Sequence, residues 1–483
     1  MKKVLRAVGN HVSDQTKIVA TIGPASEDRI GELLDAGMNV ARLNFSHGGL
    51  QEHRRRVETI RREARSRRMS VGILADLQGP KMRLGRFETG FLQLEDGEEI
   101  RIREGGGISA PGEVNFNFGG FLGRVEVGHR LLLADGQVEL DTIAVDSDSL
   151  VGRVTRKGQV ANRKGVHLPD SNIEYNLPTD EDLEHIEICK ELGVDFLGIS
   201  FVGHAEELRE IRALAPNIQL ISKIERRVAI ENLPELLGAS DGIMVARGDL
   251  GVELRLEEVP IEQKNMLAAA LRVGLFTITA TEMLESMIES SRPTRAEVAD
   301  VANAILDGSD AVMLSAETAV GEYPVEAVST MRKIARAVEG SARFREMRRP
   351  SWGSAEAESA NAVAMAAVQV SKVLGNAPIV CFTETGRTIR LLTRYRPQAE
   401  IIALSPHETV VQQMAILSGA RPILFQRELS LEDMLYMASE MLVVRDIANY
   451  GDMVIFVAGV PPGVAHSTNV MKVHRIGEEV RLH

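Results

Sequence analysis

Ile221-Ser-Lys-Ile-Glu225 is followed further along the chain by Val245-Ala-Arg-Gly-Asp-Leu-Gly251. Each apolar run stops abruptly at residues that handle phosphate and divalent metal. The first ends in a lysine beside a carboxylate, the second in a carboxylate beside two glycines. Two strands delivering such groups at their C-terminal ends point to phosphoryl-transfer chemistry and to a fold that gathers strand ends together.

Working outward from this pair, short apolar runs recur as a series: Lys17–Ile22, Asn39–Phe45, Val71–Leu77, Phe196–Val202, Gln219–Ile224, Gly242–Ala246, Phe276–Ala280 and Ala311–Leu314. Most are rich in β-branched residues and do not alternate with polar ones, the pattern of parallel strands buried on both faces. Helical patterns separate them over Ser26–Ala36, Leu50–Arg68, Asp180–Leu192, Glu206–Leu214, Glu258–Val273, Thr294–Leu306 and Pro324–Val338. Thr294-Arg-Ala-Glu297 after Pro293 reads as a capping box. Gly37, Gly193 and Gly274 read as helix ends. The alternation predicts an α/β fold, a (β/α)8 barrel, with its chemistry at the C-terminal ends of the strands. Those ends carry Arg42, Asn44, Ser46, Asp76, Ser200, Lys223, Glu225, Asp249, Thr281, Ser315 and Glu317. Branched apolar side chains fill barrel interiors, so polar residues gathered at one end of every strand are not explained by packing.

One interval breaks the period. The third strand ends near Leu77, but its helix waits until Asp180, and the stretch between is rich in glycine and short alternating strands such as Val138–Val145 and Leu150–Thr155. Turn signals such as Glu95-Asp-Gly97 join them. This predicts an inserted β domain over residues 80–169, acting as a lid that excludes water. Residues 1–79 then form an N-terminal arm and the first part of the barrel, and 170–345 the remainder. A polar segment, Arg343–Glu358, reads as a linker. Residues 356–483 are expected to form a separate doubly wound α/β domain.

Composition narrows the function classes. A chain of 483 residues exceeds one compact core. The 56 basic and 68 acidic residues give a formal net charge of -12, which argues against a general nucleic-acid or anionic-membrane binder. The arginines between Arg54 and Arg68 alternate with Val57, Ile60, Ala64 and glutamates at helical spacing, the mark of a solvated helix face. The two cysteines, Cys189 and Cys381, lie among apolar residues without metal spacing and read as buried thiols in a reducing compartment. Met1 to Gln15 lacks a signal-peptide core, and no run approaches a membrane span, so a soluble, cytoplasmic protein is expected.

Several long motifs occur in a fixed order: Thr21-Ile-Gly-Pro-Ala-Ser26, Asn39-Val-Ala-Arg-Leu-Asn-Phe-Ser-His47, Ile221-Ser-Lys-Ile-Glu225, Gly242-Ile-Met-Val-Ala-Arg-Gly-Asp-Leu-Gly251, Thr281-Glu-Met-Leu-Glu-Ser-Met287, Pro293-Thr-Arg-Ala-Glu-Val298 and Met313-Leu-Ser-Ala-Glu-Thr318. Together they closely resemble the pyruvate kinase family, from Thr16 to Gly477. The resemblance implies transfer of a phosphoryl group from phosphoenolpyruvate to ADP, giving ATP and pyruvate. It implies Mg²⁺ (or Mn²⁺) at Glu225 and Asp249, both hard oxygen donors. Lys223, two residues before Glu225 on the same side of its strand, would stabilise the phosphoryl in flight, and Arg42 would grip phosphate. Backbone N–H groups of Gly248 and Asp249 would take the substrate carboxylate. Thr281 would lie beside the carbon that is protonated, acting through a water relay. The nucleotide would meet His47, Arg83 and Lys164. A homotetramer is implied by the same resemblance.

The sequence also departs from the family. Many members need K⁺, whose ligands would be Asn44, Ser46, Asp76 and the carbonyl of Leu77. Here the segment reads Asp76-Leu-Gln-Gly-Pro-Lys-Met-Arg-Leu84, and the Lys81 ammonium can supply the charge that K⁺ brings elsewhere. Little or no K⁺ activation is therefore expected. Glu282 stands where glutamine is usual, and Gly203 where arginine is common. In the last domain, Thr383-Glu-Thr-Gly-Arg-Thr388 joins a strand to a helix and reads as a phosphate cradle of Thr383, Thr385, Gly386, Arg387 and Thr388, where the resemblance implies a sugar-phosphate or nucleotide effector. Two rivals predict other patterns. A non-catalytic sensor would have lost Lys223, Glu225, Asp249 or Thr281, and a metal-dependent aldolase or lyase would not need Lys223 or Lys164.

Overall fold

A computed structural model describes residues 14–346 and 359–479 except 111, 135, 172, 429, 465 and 466. The arm before Asp14 and residues 347–358 of the expected linker lie outside the described residues. The linker's first residues are not irregular: Ala342–Glu346 is a short helix, started by the Ser341 hydroxyl accepting from Phe344 N at 3.2 Å and held by Phe344, 7% exposed.

Eight strands close a barrel: β1 (Lys17–Thr21), β2 (Val40–Asn44), β3 (Gly72–Asp76), β4 (Phe196–Ile199), β5 (Gln219–Ile224), β6 (Gly242–Ala246), β7 (Phe276–Ala280) and β8 (Ala311–Leu314). Each neighbours the next in chain order, and β1 closes on β8 in parallel, Lys17 opposite Ala311 and Ala20 opposite Leu314. Every residue of β1, β3, β6, β7 and β8 is buried, as expected where helices cover one face and the barrel interior the other. The strands match the apolar runs with small trims. The largest is at β4, which stops at Ile199 because Phe201 takes a left-handed backbone, φ 59°. The first helix begins at Ile30, not Ser26, because the Ser26 hydroxyl accepts from Gly23 N at 3.1 Å and folds the segment into a turn.

Two compact units share the chain: Met1–Ala75 with Leu192–Leu197 and Leu267–His483, and Asp76–Glu191 with Gly198–Met266. The second contains the inserted β domain. Its main sheet has six strands in the order Val166–His167, Arg130–Leu133, Val138–Val145, Leu150–Arg156, Glu99–Glu104 and Glu113–Phe116, and Phe91–Leu94 pairs separately with Gly158–Ala161. Leu94, Ile102, Phe116, Leu131, Leu140 and Leu150 fill its core. The strand Glu113–Phe116 carries charge and amide on alternate positions and has no sequence signal comparable to the others.

The first unit contains the C-terminal sheet: β9 (Ile379–Phe382), β10 (Ile401–Ser405), β11 (Ala420–Leu424), β12 (Met453–Gly459) and β13 (Thr468–Arg475), in the order β11-β10-β9-β12-β13. The first four are parallel and β13 is antiparallel to β12. Its burial pattern is mixed, so no apolar run announced it. Within this unit buried ions join the sheet to the barrel strands. Lys17 Nζ donates to Ala420 O at 2.7 Å and Arg396 pairs with Asp310 at 2.8 Å. Burial lowers the Lys17 pKa, and the charges of Glu400, Glu339, Asp14 and Asp310 oppose it. Among the described residues, no helix is long and apolar enough to cross a membrane.

Candidate active site

In the second unit, alternation along β5 sends Lys223 and Glu225 to the same side. The Lys223 ammonium lies 2.9 Å from Glu225 Oε1, 3.1 Å from Asp76 Oδ1 and 2.7 Å from Ser200 Oγ. Ser200 in turn donates to Leu77 O at 2.7 Å. The cluster is deeply buried, with Glu225 and Asp76 side chains 1% and 2% exposed and Lys223 12%. Glu225 Oε2 accepts from Phe201 N at 2.7 Å. Burial pushes the Glu225 carboxyl up; Lys223 opposes this and the Asp249 charge adds to it. Asp249 stands in the first turn of the helix Arg247–Glu253 that leaves β6, half-buried.

This donor set suits a hard divalent cation. Two carboxylates that repel one another, one of them buried against its own charge, gain from a cation between them. Among the described residues, no three His, Cys, Asp or Glu side chains gather as a metal cage. Two protein carboxylates with the remaining positions left to substrate and water is how Mg²⁺ is commonly held.

Two nucleotide candidates also belong to this unit. Arg83 and Lys164 stand on the segments that enter and leave the inserted domain: Arg83 bridges to Gly165, Leu84 N donates to Lys164 O at 2.8 Å, and Arg83 NH1 donates to Arg163 O at 3.2 Å. Lys81 is half-buried beside the Gly79 turn, its N–H on Gly79 O at 3.1 Å.

In the first unit, Arg42 in the middle of β2 donates to Thr21 Oγ1 at 2.9 Å, and Thr21 donates to Leu314 O at 2.9 Å, so neighbouring strands brace the guanidinium. Asn44 Oδ1 accepts from Ser46 N at 3.1 Å, which tightens the turn that carries exposed His47. Thr281 and Glu282 both have left-handed backbones, φ 69° and 54°, an unusual pair for residues other than glycine. Thr281 Oγ1 donates to Ala280 O at 2.6 Å. Glu317, 2% exposed, holds the following loop by accepting from Leu284 N at 3.1 Å and Ser315 N at 2.7 Å. It is a brace and not a free strand-end acid.

Residue order alone did not reveal several partners. Ser200 stood among the polar strand ends, but an uncharged hydroxyl gives no sign that it links Lys223 to Leu77 O. In the loop Thr383–Thr388, Thr383 Oγ1 accepts from Gly386 N at 2.9 Å and Thr388 shares a hydrogen with Thr468 at 2.6 Å. Glu384 meets His407 at 2.9 Å and Arg427 at 2.5 Å, a charged cluster assembled from three loops distant in sequence. The loop lines a pocket together with Gly459, Gly463 and Ser467.

A family model described as pyruvate kinase, barrel domain, matches residues 13–328, and one described as pyruvate kinase, alpha/beta domain, matches 361–474. The chain belongs to the pyruvate kinase family. A pyruvate kinase of Geobacillus stearothermophilus is 41% identical over 475 residues, covering 96% of this chain and 81% of that one. One of Staphylococcus aureus (strain USA300) is 40% identical over 474 residues, with the same 96% and 81% coverage. One of Staphylococcus epidermidis (strain ATCC 12228 / FDA PCI 1200) is 39% identical over 476. As a pyruvate kinase the chain is a phosphotransferase, and its barrel, inserted β domain and C-terminal α/β domain are the architecture expected from sequence.

Proposed function

We propose that this pyruvate kinase moves the phosphoryl group of phosphoenolpyruvate to ADP with Lys223 and Arg42 as its principal cationic groups. One observation carries the reading: the Lys223 ammonium is held between two buried carboxylates at 2.9 and 3.1 Å, on strand ends where this barrel does its chemistry. An ammonium so fixed is preorganised for charge developing on the phosphoryl oxygens and needs no reorientation in water. Arg42, braced by Thr21, holds the phosphate of the incoming substrate. The N–H groups of Gly248 and Asp249 take its carboxylate. Thr281 sits beside proton delivery to the enolpyruvate carbon; its hydroxyl is too weak an acid to serve without water.

Glu225 and Asp249 are the residues that would hold Mg²⁺, with Mn²⁺ able to replace it; when bound, the ion neutralises charge spread over the phosphoryl oxygens. His47, Arg83 and Lys164 bind ADP and ATP. Asn44, Ser46, Asp76 and Leu77 O form the monovalent site, and the Lys81 ammonium makes K⁺ dispensable. The loop Thr383–Thr388 takes a sugar-phosphate or nucleotide effector. Exposed apolar residues on the C-terminal helices, such as Val373 and Val444 at 84% and 81%, support assembly into a homotetramer. Burial raises both cysteine thiols, which agrees with unreactive thiols in a reducing cytoplasm.

Pyruvate release from phosphoenolpyruvate, coupled to lactate dehydrogenase, tests the assignment. Release requires ADP and a divalent cation. ADP-independent pyruvate formation, or formation undiminished by chelation, rejects it.

A further inference from the structure

Phe201 has a left-handed backbone, φ 59°, and is 7% exposed. L residues adopt this conformation only when their surroundings force it. Here both ends of the residue are held by two consecutive residues of a distant strand end. Its N–H donates to Glu225 Oε2 at 2.7 Å, and its carbonyl accepts from Arg226 NH1 at 3.3 Å. Arg226 is itself 8% exposed. Its other terminal nitrogen donates to Ile173 O at 2.5 Å, and its guanidinium lies 4.3 Å from the ring centroid of Tyr175. Tyr175 also packs against Phe201, with centroids 5.9 Å apart, and against Phe118 of the inserted domain at 5.5 Å.

Gly203 completes the arrangement. A Cβ there would press on Val228 Cγ1 at 3.2 Å and touch Arg226 NH1 at 3.4 Å, so this position packs directly beside the guanidinium. Arg226 is thus a five-donor fork spent on two main-chain carbonyls and an aromatic face, and its charge also opposes the burial of the Glu253 carboxyl.

We infer that Arg226 is a positioning residue for Glu225: by gripping the Phe201 carbonyl it keeps the Phe201 N–H aimed at Glu225 Oε2, and through Ile173 and Tyr175 it ties the segment leaving the inserted domain to that carboxylate. Glu225 is left with one oxygen oriented by the backbone and the other facing Lys223. A cation ligand whose second oxygen is fixed in this way binds its ion in one preset geometry. The inference rests on the reading of Glu225 as a cation ligand.

Mn²⁺ binding to the substrate-free enzyme, measured by electron paramagnetic resonance, tests it without turnover. Arg226→Gln is expected to weaken Mn²⁺ binding by about tenfold, the scale on which outer partners of metal ligands act, with the KM for ADP unchanged. Arg226→Lys, which keeps the charge but not the fork, is expected to recover only part of the loss. Replacing Phe201 by glycine removes the backbone cost, so adding Arg226→Gln in that background is expected to weaken Mn²⁺ binding by less than about threefold. Loss of melting temperature in Arg226→Gln and Arg226→Lys with unchanged Mn²⁺ affinity would overturn the inference. Glu225→Gln separates the two readings. If it weakens Mn²⁺ binding but Arg226→Gln does not, the positioning role fails alone; if Glu225→Gln leaves binding unaltered, the ligand reading fails.

Discussion

Two carboxylates in this molecule are each clamped by basic side chains beyond the end of a parallel strand, and they differ in depth. Glu225, beside Lys223 at the end of β5, is 1% exposed. Glu384, beyond β9, is 19% exposed, and its partners His407 and Arg427 are 51% and 43% exposed. The distances are alike: 2.9 Å for Lys223 and for His407, 2.5 Å for Arg427. Geometry therefore does not separate the two clusters, but dielectric does. Exposed pairs contribute about 0–1 kcal/mol and are screened by salt. Breaking a buried pair leaves a charge without water and costs about 3–5 kcal/mol. The barrel cluster is suited to holding charge for chemistry, the C-terminal one to exchanging partners when an anion arrives.

The largest expected effect is at the buried cluster. Lys223→Met is predicted to lower kcat on the order of 10³-fold or more while the chain still folds. The ammonium is also the main influence opposing burial at Glu225, so its loss pushes that carboxyl further above its usual 4.5. A carboxyl raised in the folded state binds its proton more tightly there than in the unfolded chain. Stability of the variant therefore falls as pH rises from about 4.5 through the folded pKa. Thermal melts at pH 5.5 and pH 8 check this: Lys223→Met should lose more stability than wild type between the two. Equal losses would mean that the ammonium does not balance Glu225.

A middle effect concerns the monovalent cation. Replacing Na⁺ by K⁺ is predicted to change wild-type kcat by less than about threefold, whereas Lys81→Glu makes the enzyme K⁺-responsive by about tenfold. An increase of about tenfold or more in wild type would remove Lys81 from this role. The smallest effect belongs to the exposed cluster. Glu384→Gln should leave basal kcat within about twofold and shift the melting temperature by a few degrees at most. A loss of activity comparable to Lys223→Met would erase the distinction between the clusters.

Much of this contrast was legible in the chain. The barrel strands announced themselves because residues buried on both faces must be apolar throughout, and their ends because charge has no place in such a barrel interior. Lys223, Glu225, Asp249 and Arg42 followed from those ends. Partnership was less legible. The Ser200 hydroxyl, the Glu317 brace and the Glu384–His407–Arg427 cluster depend on which loops meet in space, which no local spacing encodes. Four strands escaped for a related reason: Glu113–Phe116, Gly158–Ala161, Val166–His167 and Thr468–Arg475 are short or partly polar, and pairing, not composition, makes them strands. The early end of β4 was equally hidden, since nothing in Ser200-Phe-Val-Gly203 signals a left-handed phenylalanine. Gly203, a departure from the family when read as sequence, is next to Arg226 in space.

If Glu225 is a buried carboxyl that holds a divalent cation, binding the ion should displace a proton from it. Calorimetric titration of Mn²⁺ near neutral pH, repeated in buffers of different ionisation enthalpy, counts the protons released. The prediction is fractional proton release that grows as pH falls from 8 to 6.5, with apparent affinity weakening in parallel, and both trends lost in Glu225→Gln. Binding with no proton release and the same affinity in Glu225→Gln would contradict it.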